Sequence, residues 1–172
     1  MIDAVNASGR IGLGAERFSL AVYIANRPPM PEYQALTKMR SLVKGEVYSI
    51  AQQTGNHWRK IFNVYAKFLY ALKWSNSHNG WRQYRDLFLL QGDTKEALLF
   101  SKPNFDFDCI HIIAGKTYAA ELNMPFSIDW QDAFFAINKS KRVIVCPYFD
   151  YRQLSNERID QLVKYVQMMS VS

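Results

Sequence analysis

Asp108-Cys109-Ile110-His111-Ile112-Ile113-Ala114-Gly115-Lys116-Thr117-Tyr118-Ala119-Ala120 is the stretch on which the fold turns. From Cys109 to Ala114 it is apolar on both alternations except at His111, and three of those positions are Ile. A strand with one wet face alternates apolar with polar, whereas a strand covered on both faces of a parallel sheet does not. Gly115 closes the run, and residues 116–123 follow directly with a helical pattern. Strand, glycine turn and helix form the unit, and a buried parallel strand needs neighbours of the same kind. Arg142-Val143-Ile144-Val145-Cys146, closed by Pro147, is one. Ser19-Leu20-Ala21-Val22-Tyr23-Ile24-Ala25 is another, ended by Asn26-Arg27-Pro28-Pro29, whose prolines cannot donate to a ladder. Residues 86–90 and 97–100 read as a further strand or a hairpin.

Helical patterns alternate with these strands. Residues 130–137 suggest a short amphipathic helix. The last helix starts near Ser155, a residue suited to an N-cap, and sets Ile159, Leu162, Val163, Val166 and Met169 on one face. This order predicts an α/β fold, a three-layer α/β/α sandwich with a mainly parallel central sheet, over a single domain of residues 1–172. In such sheets ligands bind outside the carboxyl ends of the strands, where the strand order switches. The candidate pocket residues are therefore Asn26 and Arg27 after the first strand, and Gly115, Lys116, Thr117 and Tyr118 after the second. After the third they are Cys146, Tyr148, Asp150 and Arg152.

The 172-residue chain has 49% apolar and 15% aromatic residues, too much apolar mass for a disordered tail. No apolar stretch approaches the roughly 20 residues of a membrane span. Met1-Ile2-Asp3-Ala4 carries an acid where a signal peptide has basic residues, so a cytoplasmic location is expected, with no membrane partner. Cys109 and Cys146 sit in apolar runs and read as buried hydrophobes. Two Cys and three scattered His give no zinc spacing, and neither a metal nor a cofactor is expected.

The formal net charge of +6 is concentrated. Residues 38–85 hold nine basic residues and one acid, Glu46, or +8, which leaves −2 for the rest of the chain. The centre of this block reads as a helix over about 47–73, with Trp58, Ile61, Phe62, Tyr65, Phe68, Leu69 and Leu72 on one face. The residues Gln52-Gln53-Thr54-Gly55-Asn56 are weak helix formers, and a break there is compatible with the pattern. Arg59, Lys60, Lys67 and Lys73 fall on the opposite face and, with Arg82, are the candidates for contacting phosphates. Trp74 and Trp81 flank a polar loop, where they either plug into the core or stack on bases.

Gly115-Lys116-Thr117 resembles the end of a phosphate-binding loop, but position 110 is Ile where that loop needs Gly. What survives is a Lys and free backbone N–H groups where a helix begins, a weaker anion site than a full loop. His111 and Cys109 share a strand face, which favours a core pair over a catalytic one. Pro147-Tyr148-Phe149-Asp150-Tyr151-Arg152 reads either as a stacking platform over the strand ends or as a loop packed under itself.

The C-terminal half resembles the uracil-DNA glycosylase superfamily. Residues 109–122 (CIHIIAGKTYAAEL) are similar to its strand, small-residue turn and helix. Residues 143–166 (VIVCPYFDYRQLSNERIDQLVKYV) are similar to its strand, His-Pro-type loop and last helix, with Leu154-Ser155 at the matching position. The resemblance implies the sandwich fold, in a divergent member of an uncharacterised bacterial family on this scaffold, more readily than it implies the activity. It also exposes departures. Cys146 precedes Pro147 where the family has a His that polarises the departing base, and Cys cannot supply that hydrogen bond. The water-activating loop would fall at Asn26-Arg27-Pro28-Pro29, which holds an Asn and no Asp.

Two readings of different classes follow. One is a nucleic-acid- or nucleotide-binding protein with an incomplete catalytic set, whose partners are DNA, RNA or a nucleotide. The other is a protein-interaction module whose basic helix meets an acidic partner. A small-molecule enzyme using the strand-end pocket is the third possibility. Catalytic residues and oligomeric state are not legible in the sequence.

Overall fold

The computed structural model describes residues 9–75 and 79–170. Met1-Ile2-Asp3-Ala4 and Asn76, Ser77 and His78 of the polar loop lie outside the described residues. In chain order the elements are β1 (Gly12–Gly14), β2 (Leu20–Tyr23), α1 (Pro31–Gln34), β3 (Met39–Arg40), α2 (Glu46–Thr54), α3 (Asn56–Ala71) and α4 (Trp81–Leu87). They continue as β4 (Glu96–Leu99), β5 (Ile110–Ala114), α5 (Lys116–Glu121), β6 (Asp129–Trp130), β7 (Ala136–Asn138), β8 (Val143–Cys146) and α6 (Asn156–Ser170).

The strands form one eight-stranded sheet in the order β3-β1-β4-β2-β5-β8-β7-β6. Its centre, β4-β2-β5-β8, is parallel, with Val22 opposite Leu98 and Ile112 opposite both Val22 and Ile144. β1 runs antiparallel to β4, and β7 antiparallel to β8. The double-sided apolar pattern of β5 and β8 has the expected cause. Ile110, Ile112, Ala114, Ile144 and Cys146 face a large cluster supplied by α2, α3, α4 and α6. Ile113, Val143 and Val145 face a smaller cluster under α5 and the rings of Phe105, Phe107 and Phe126. The layers are therefore unequal, and helices dominate one side.

The amphipathic stripe of α3 is the main seam of the larger cluster. Trp58, Ile61, Phe62, Tyr65, Phe68 and Leu69 are all buried, while Tyr70 is exposed. Each such large apolar side chain contributes about 1.5–3 kcal/mol through burial. Tyr65 also donates its hydroxyl to the Ala97 carbonyl at 2.7 Å, tying the helix to the sheet.

The break that the weak helix formers of residues 52–56 allow is present: residues 46–71 form two helices, because Gly55 adopts φ +89°, a positive-φ conformation open to glycine that ends α2 and starts α3. Two expectations need correction. Residues 86–90 finish α4 and turn, while β4 comes from Glu96–Leu99. Residues 130–137 are not a helix but the hairpin β6–β7. Asp132 accepts from the backbone N–H of Phe134 and of Phe135 at 2.7 and 2.8 Å, a side-chain turn that competes with helix formation.

β1 is a strand of small residues for a steric reason. A Cβ on Gly12 would lie 2.3 Å from the Leu98 carbonyl oxygen and 2.8 Å from the Leu99 Cα. We expect Gly12→Val to push β1 off β4 and cost about 1–3 kcal/mol, as overpacking does. A urea-unfolding midpoint unchanged from the parent would contradict this.

Candidate functional site at the strand ends

The connections from β2 and β5 leave in opposite directions, toward β4 and toward β8, so the crevice of this sheet opens between their carboxyl ends. Asn26 lies just beyond β2, Gly115 caps β5 and Tyr148 follows β8 by two residues. β5 separates the other two strands, so Tyr148 must cross over it to reach Asn26. Gly115 lies beneath this crossing at φ +110°, a backbone conformation that favours glycine, and a Cβ there would make only ordinary contact with the Tyr148 ring, at 3.7 Å. The Tyr148 hydroxyl donates to Asn26 Oδ1 at 2.8 Å. His57, one residue into α3, completes the cluster. Its Nε2 lies 3.1 Å from Asn26 Nδ2 and 3.0 Å from the Tyr148 hydroxyl. Burial pushes the Tyr148 phenol up to about 12, so it acts as a hydrogen-bond donor and not as a phenolate.

Beside this cluster lies a cleft of about 270 Å³ lined by Lys116, Phe134, Pro147, Tyr148, Arg152 and Arg158, among others. Its cations are associated with rings. Arg158 lies 3.6 Å from the centre of the Phe134 ring, and the Lys116 ammonium 4.7 Å from that of Trp130. The Arg152 guanidinium is 6.0 Å from the Tyr151 ring, and Lys60 approaches the same ring at 5.3 Å. Trp130, Phe134 and Tyr151 are 42%, 40% and 54% exposed; Phe134 is in the cleft wall, and the other two rings lie against its cations Lys116 and Arg152. Of the acids near the cleft, Asp150 is already paired with cations. Arg152 bonds it at 3.1 Å and holds its carboxyl below the usual range, while Lys60 stands 3.9 Å away. Lys116 and Arg158 have no carboxylate partner among the described ion pairs.

Several candidates serve the fold instead. The Arg27 guanidinium donates to the carbonyls of Tyr33, Gln34 and Leu36 at 2.9–3.1 Å and organises the end of α1. Cys146 is 1% exposed, and burial pushes its thiol up, so it is a core residue and not part of the cleft wall. Tyr118 packs against the smaller cluster, and Thr117 is exposed beside Lys116. Trp74 donates its indole N–H to Glu96 at 2.9 Å. Trp81 is half-buried and surrounded by Lys67, Arg82 and Arg85, whose charges lie 5.1, 4.5 and 5.3 Å from its ring centre. Arg59 contacts Asn56 and faces a different groove, with Arg85 and Asp86. Lys73 is exposed in the turn after α3.

Two buried polar groups lie away from the strand ends. Glu96, at the start of β4, is fully buried and receives the Tyr84 hydroxyl, the Trp74 indole and the Leu90 N–H, each at 2.9 Å. Burial raises its pKa against these bonds. His111, also fully buried, takes the Tyr23 hydroxyl on Nδ1 at 2.7 Å and faces the Phe107 carbonyl with Nε2 at 3.1 Å. That pattern defines the neutral Nε2–H tautomer. The Cys109 sulfur is 3.7 Å away, but burial raises its thiol to about 12, which leaves no thiolate for nucleophilic chemistry.

Burial lowers the His111 pKa, so the unfolded chain binds this proton more readily than the folded one. Stability should fall as pH drops through about 6.5, the unperturbed value. His111→Gln should remove that contribution. Parallel unfolding curves from pH 7.5 to 5.5 should show the parent losing stability faster than the variant, and identical losses would contradict the assignment.

Sequence reasoning missed His57, Trp130, Phe134 and Arg158. His57 follows Gly55-Asn56 on a polar helix face, Trp130 and Phe134 fell within the misread helix, and Arg158 sits on the polar side of α6. The signal for Arg158 was a cation one turn after the Pro147 loop. No group of three metal-ligating side chains occurs among the described residues. None of the described helices is long and apolar enough to cross a membrane.

Fold and site together define an α/β sandwich with a cation- and ring-lined cleft at its strand ends. Comparison with curated proteins and with solved structures returned no match. The chain belongs to DUF6942, a family of unknown function, whose model matches residues 11–167.

Proposed function

We propose that the protein binds nucleic acid or a nucleotide at the strand-end cleft, on a scaffold resembling the uracil-DNA glycosylases. The observation that carries this reading is the convergence of Lys116, Arg152 and Arg158 with exposed rings around one cleft, with Asp150 beside it already paired. Phosphate recognition calls for cations in a concave site, and base recognition calls for π-faces beside them. Cation–ring pairs at exposed positions hold only about 0.5–1 kcal/mol, so an incoming base and phosphate can displace them. With Cys146 buried and no Asp in the Asn26 loop, the residues that the resemblance assigns to base excision are incomplete.

Calorimetric titration with thymidine 5′-monophosphate and with thymidine at low salt tests this. The nucleotide should bind, the nucleoside should bind far more weakly, and added salt should weaken the nucleotide. No nucleotide binding at low salt would refute the reading. The His57–Asn26–Tyr148 cluster favours a second reading, an enzyme acting on the bound nucleotide. It predicts release of free base or phosphate on incubation, lost in His57→Ala.

A further inference from the structure

The larger basic cluster on α3 and α4 is not part of the cleft, yet it is joined to it. Lys60 and Lys67 are seven residues apart on α3, hence on one helix face and separated by about 10 Å along the axis. Lys60 touches the cleft loop, at 3.9 Å from Asp150 and 5.3 Å from the Tyr151 ring. Lys67 lines a second groove of about 320 Å³, with Trp81, Arg82, Asn156 and Asp160. The start of α6 lies between the two openings, presenting Arg158 to the first and Asn156 and Asp160 to the second. Lys116, Arg158, Arg152, Lys60, Lys67 and Arg82 thus mark a path of six cations, along which the described acids are Asp150, Asp160, Glu157 beside Arg158 in the first turn of α6, and Asp132 beside Phe134.

We propose that this path is a docking surface for single-stranded nucleic acid, running from the strand-end cleft past Lys60 to the Trp81 groove. The proposal rests on the nucleotide reading of the cleft and extends it from one nucleotide to a strand of about four, the low end of single-strand site sizes. A base stacked on an aromatic ring gains about 1–3 kcal/mol, more than the exposed cation–ring contact that it replaces. Lys67 and Arg82 are long, flexible side chains, free to swing from the indole to the flanking phosphates. In a duplex the base faces are occupied by their neighbours, so neither Trp81 nor the cleft rings can stack on them. Arg85 is not part of the path, because Asp86 and Asn63 already hold its guanidinium.

The test measures affinities of thymidine 5′-monophosphate, dT2, dT4, dT8 and a blunt DNA hairpin duplex for the full chain at low salt. Affinity should rise at least ten-fold from the mononucleotide to dT4 and then level off. The salt slope should steepen by about 0.7 for each added phosphate contact. Lys67→Glu combined with Arg82→Glu should return dT4 to the mononucleotide level, with folding checked by thermal melting. Lys116→Glu should also weaken dT4, because the strand starts in the cleft. If the mononucleotide binds and dT4 binds no tighter, the path is refuted while the cleft reading stands. If neither binds, both fail. Equal affinity for the duplex, or dT4 binding indifferent to either set of substitutions, overturns the proposal.

Discussion

Reversing charge at Lys116 and Arg158 together should lower the affinity of the cleft for thymidine 5′-monophosphate roughly 100-fold or more. A hydrogen bond to a charged group contributes about 1.5–3 kcal/mol, so losing two removes at least about 3 kcal/mol, before any repulsion by the new carboxylates. These two residues are chosen because their charges are not neutralised by neighbouring acids. Arg152 is bound to Asp150, so Arg152→Ala should cost less than ten-fold. Lys116 is exposed and Arg158 half-buried over an exposed ring, so the melting temperature should shift little. Nucleotide affinity unchanged in the double variant would remove the cleft from the account, whatever else bound.

Glu96→Ala carries the largest expected effect on stability, about 3–5 kcal/mol. The substitution leaves the Tyr84 hydroxyl, the Trp74 indole and the Leu90 N–H without their acceptor, and each unsatisfied buried donor costs about 1–3 kcal/mol. Against a total of about 5–15 kcal/mol for a domain, that loss would bring the chain close to unfolding. These donors come from the turn after α3, from α4 and from the turn before β4, so Glu96 joins three segments that have no common ladder. Glu96→Gln keeps one carbonyl acceptor but turns an amide donor toward existing donors, and should fall between the parent and Glu96→Ala. Denaturant unfolding measures all three. Equal stability of the parent and Glu96→Ala would show that these bonds do not hold the segments together.

The parallel core was legible because burial on both faces leaves a run such as Ile110–Ala114 with no polar alternation except at His111. Even that exception fits, since Tyr23 and the Phe107 carbonyl satisfy the imidazole inside the sheet. The edges were less legible. Gly12-Leu13-Gly14 carries no strand propensity, because close approach to β4 selects residues for what they lack. The hairpin β6–β7 places Phe134 outside and Phe135 inside, and the resulting ring spacing imitates a helix face until the Asp132 turn is seen. The candidate site was legible where it depends on strand ends: Asn26, Gly115, Lys116, Tyr148 and Arg152 all gather there. His57, Phe134 and Arg158 come from elements whose packing brings them in from elsewhere in the sequence. Periodicity ranks them as surface residues, and only the tertiary arrangement shows which surface they share. The +8 block proved to be divided, with Lys60 at the cleft, Lys67 and Arg82 around Trp81, and Arg59 facing elsewhere.

The central claim is that the strand-end cleft is where a nucleotide binds, and amide chemical-shift mapping tests it most directly. Titrating thymidine 5′-monophosphate into the isotope-labelled full chain should shift the resonances of Lys116, Phe134, Tyr148 and Arg158 together, with one shared saturation curve. Shifts confined to the opposite end of the sheet, around Thr94 and Lys95, or an unchanged spectrum at saturating nucleotide, would contradict it.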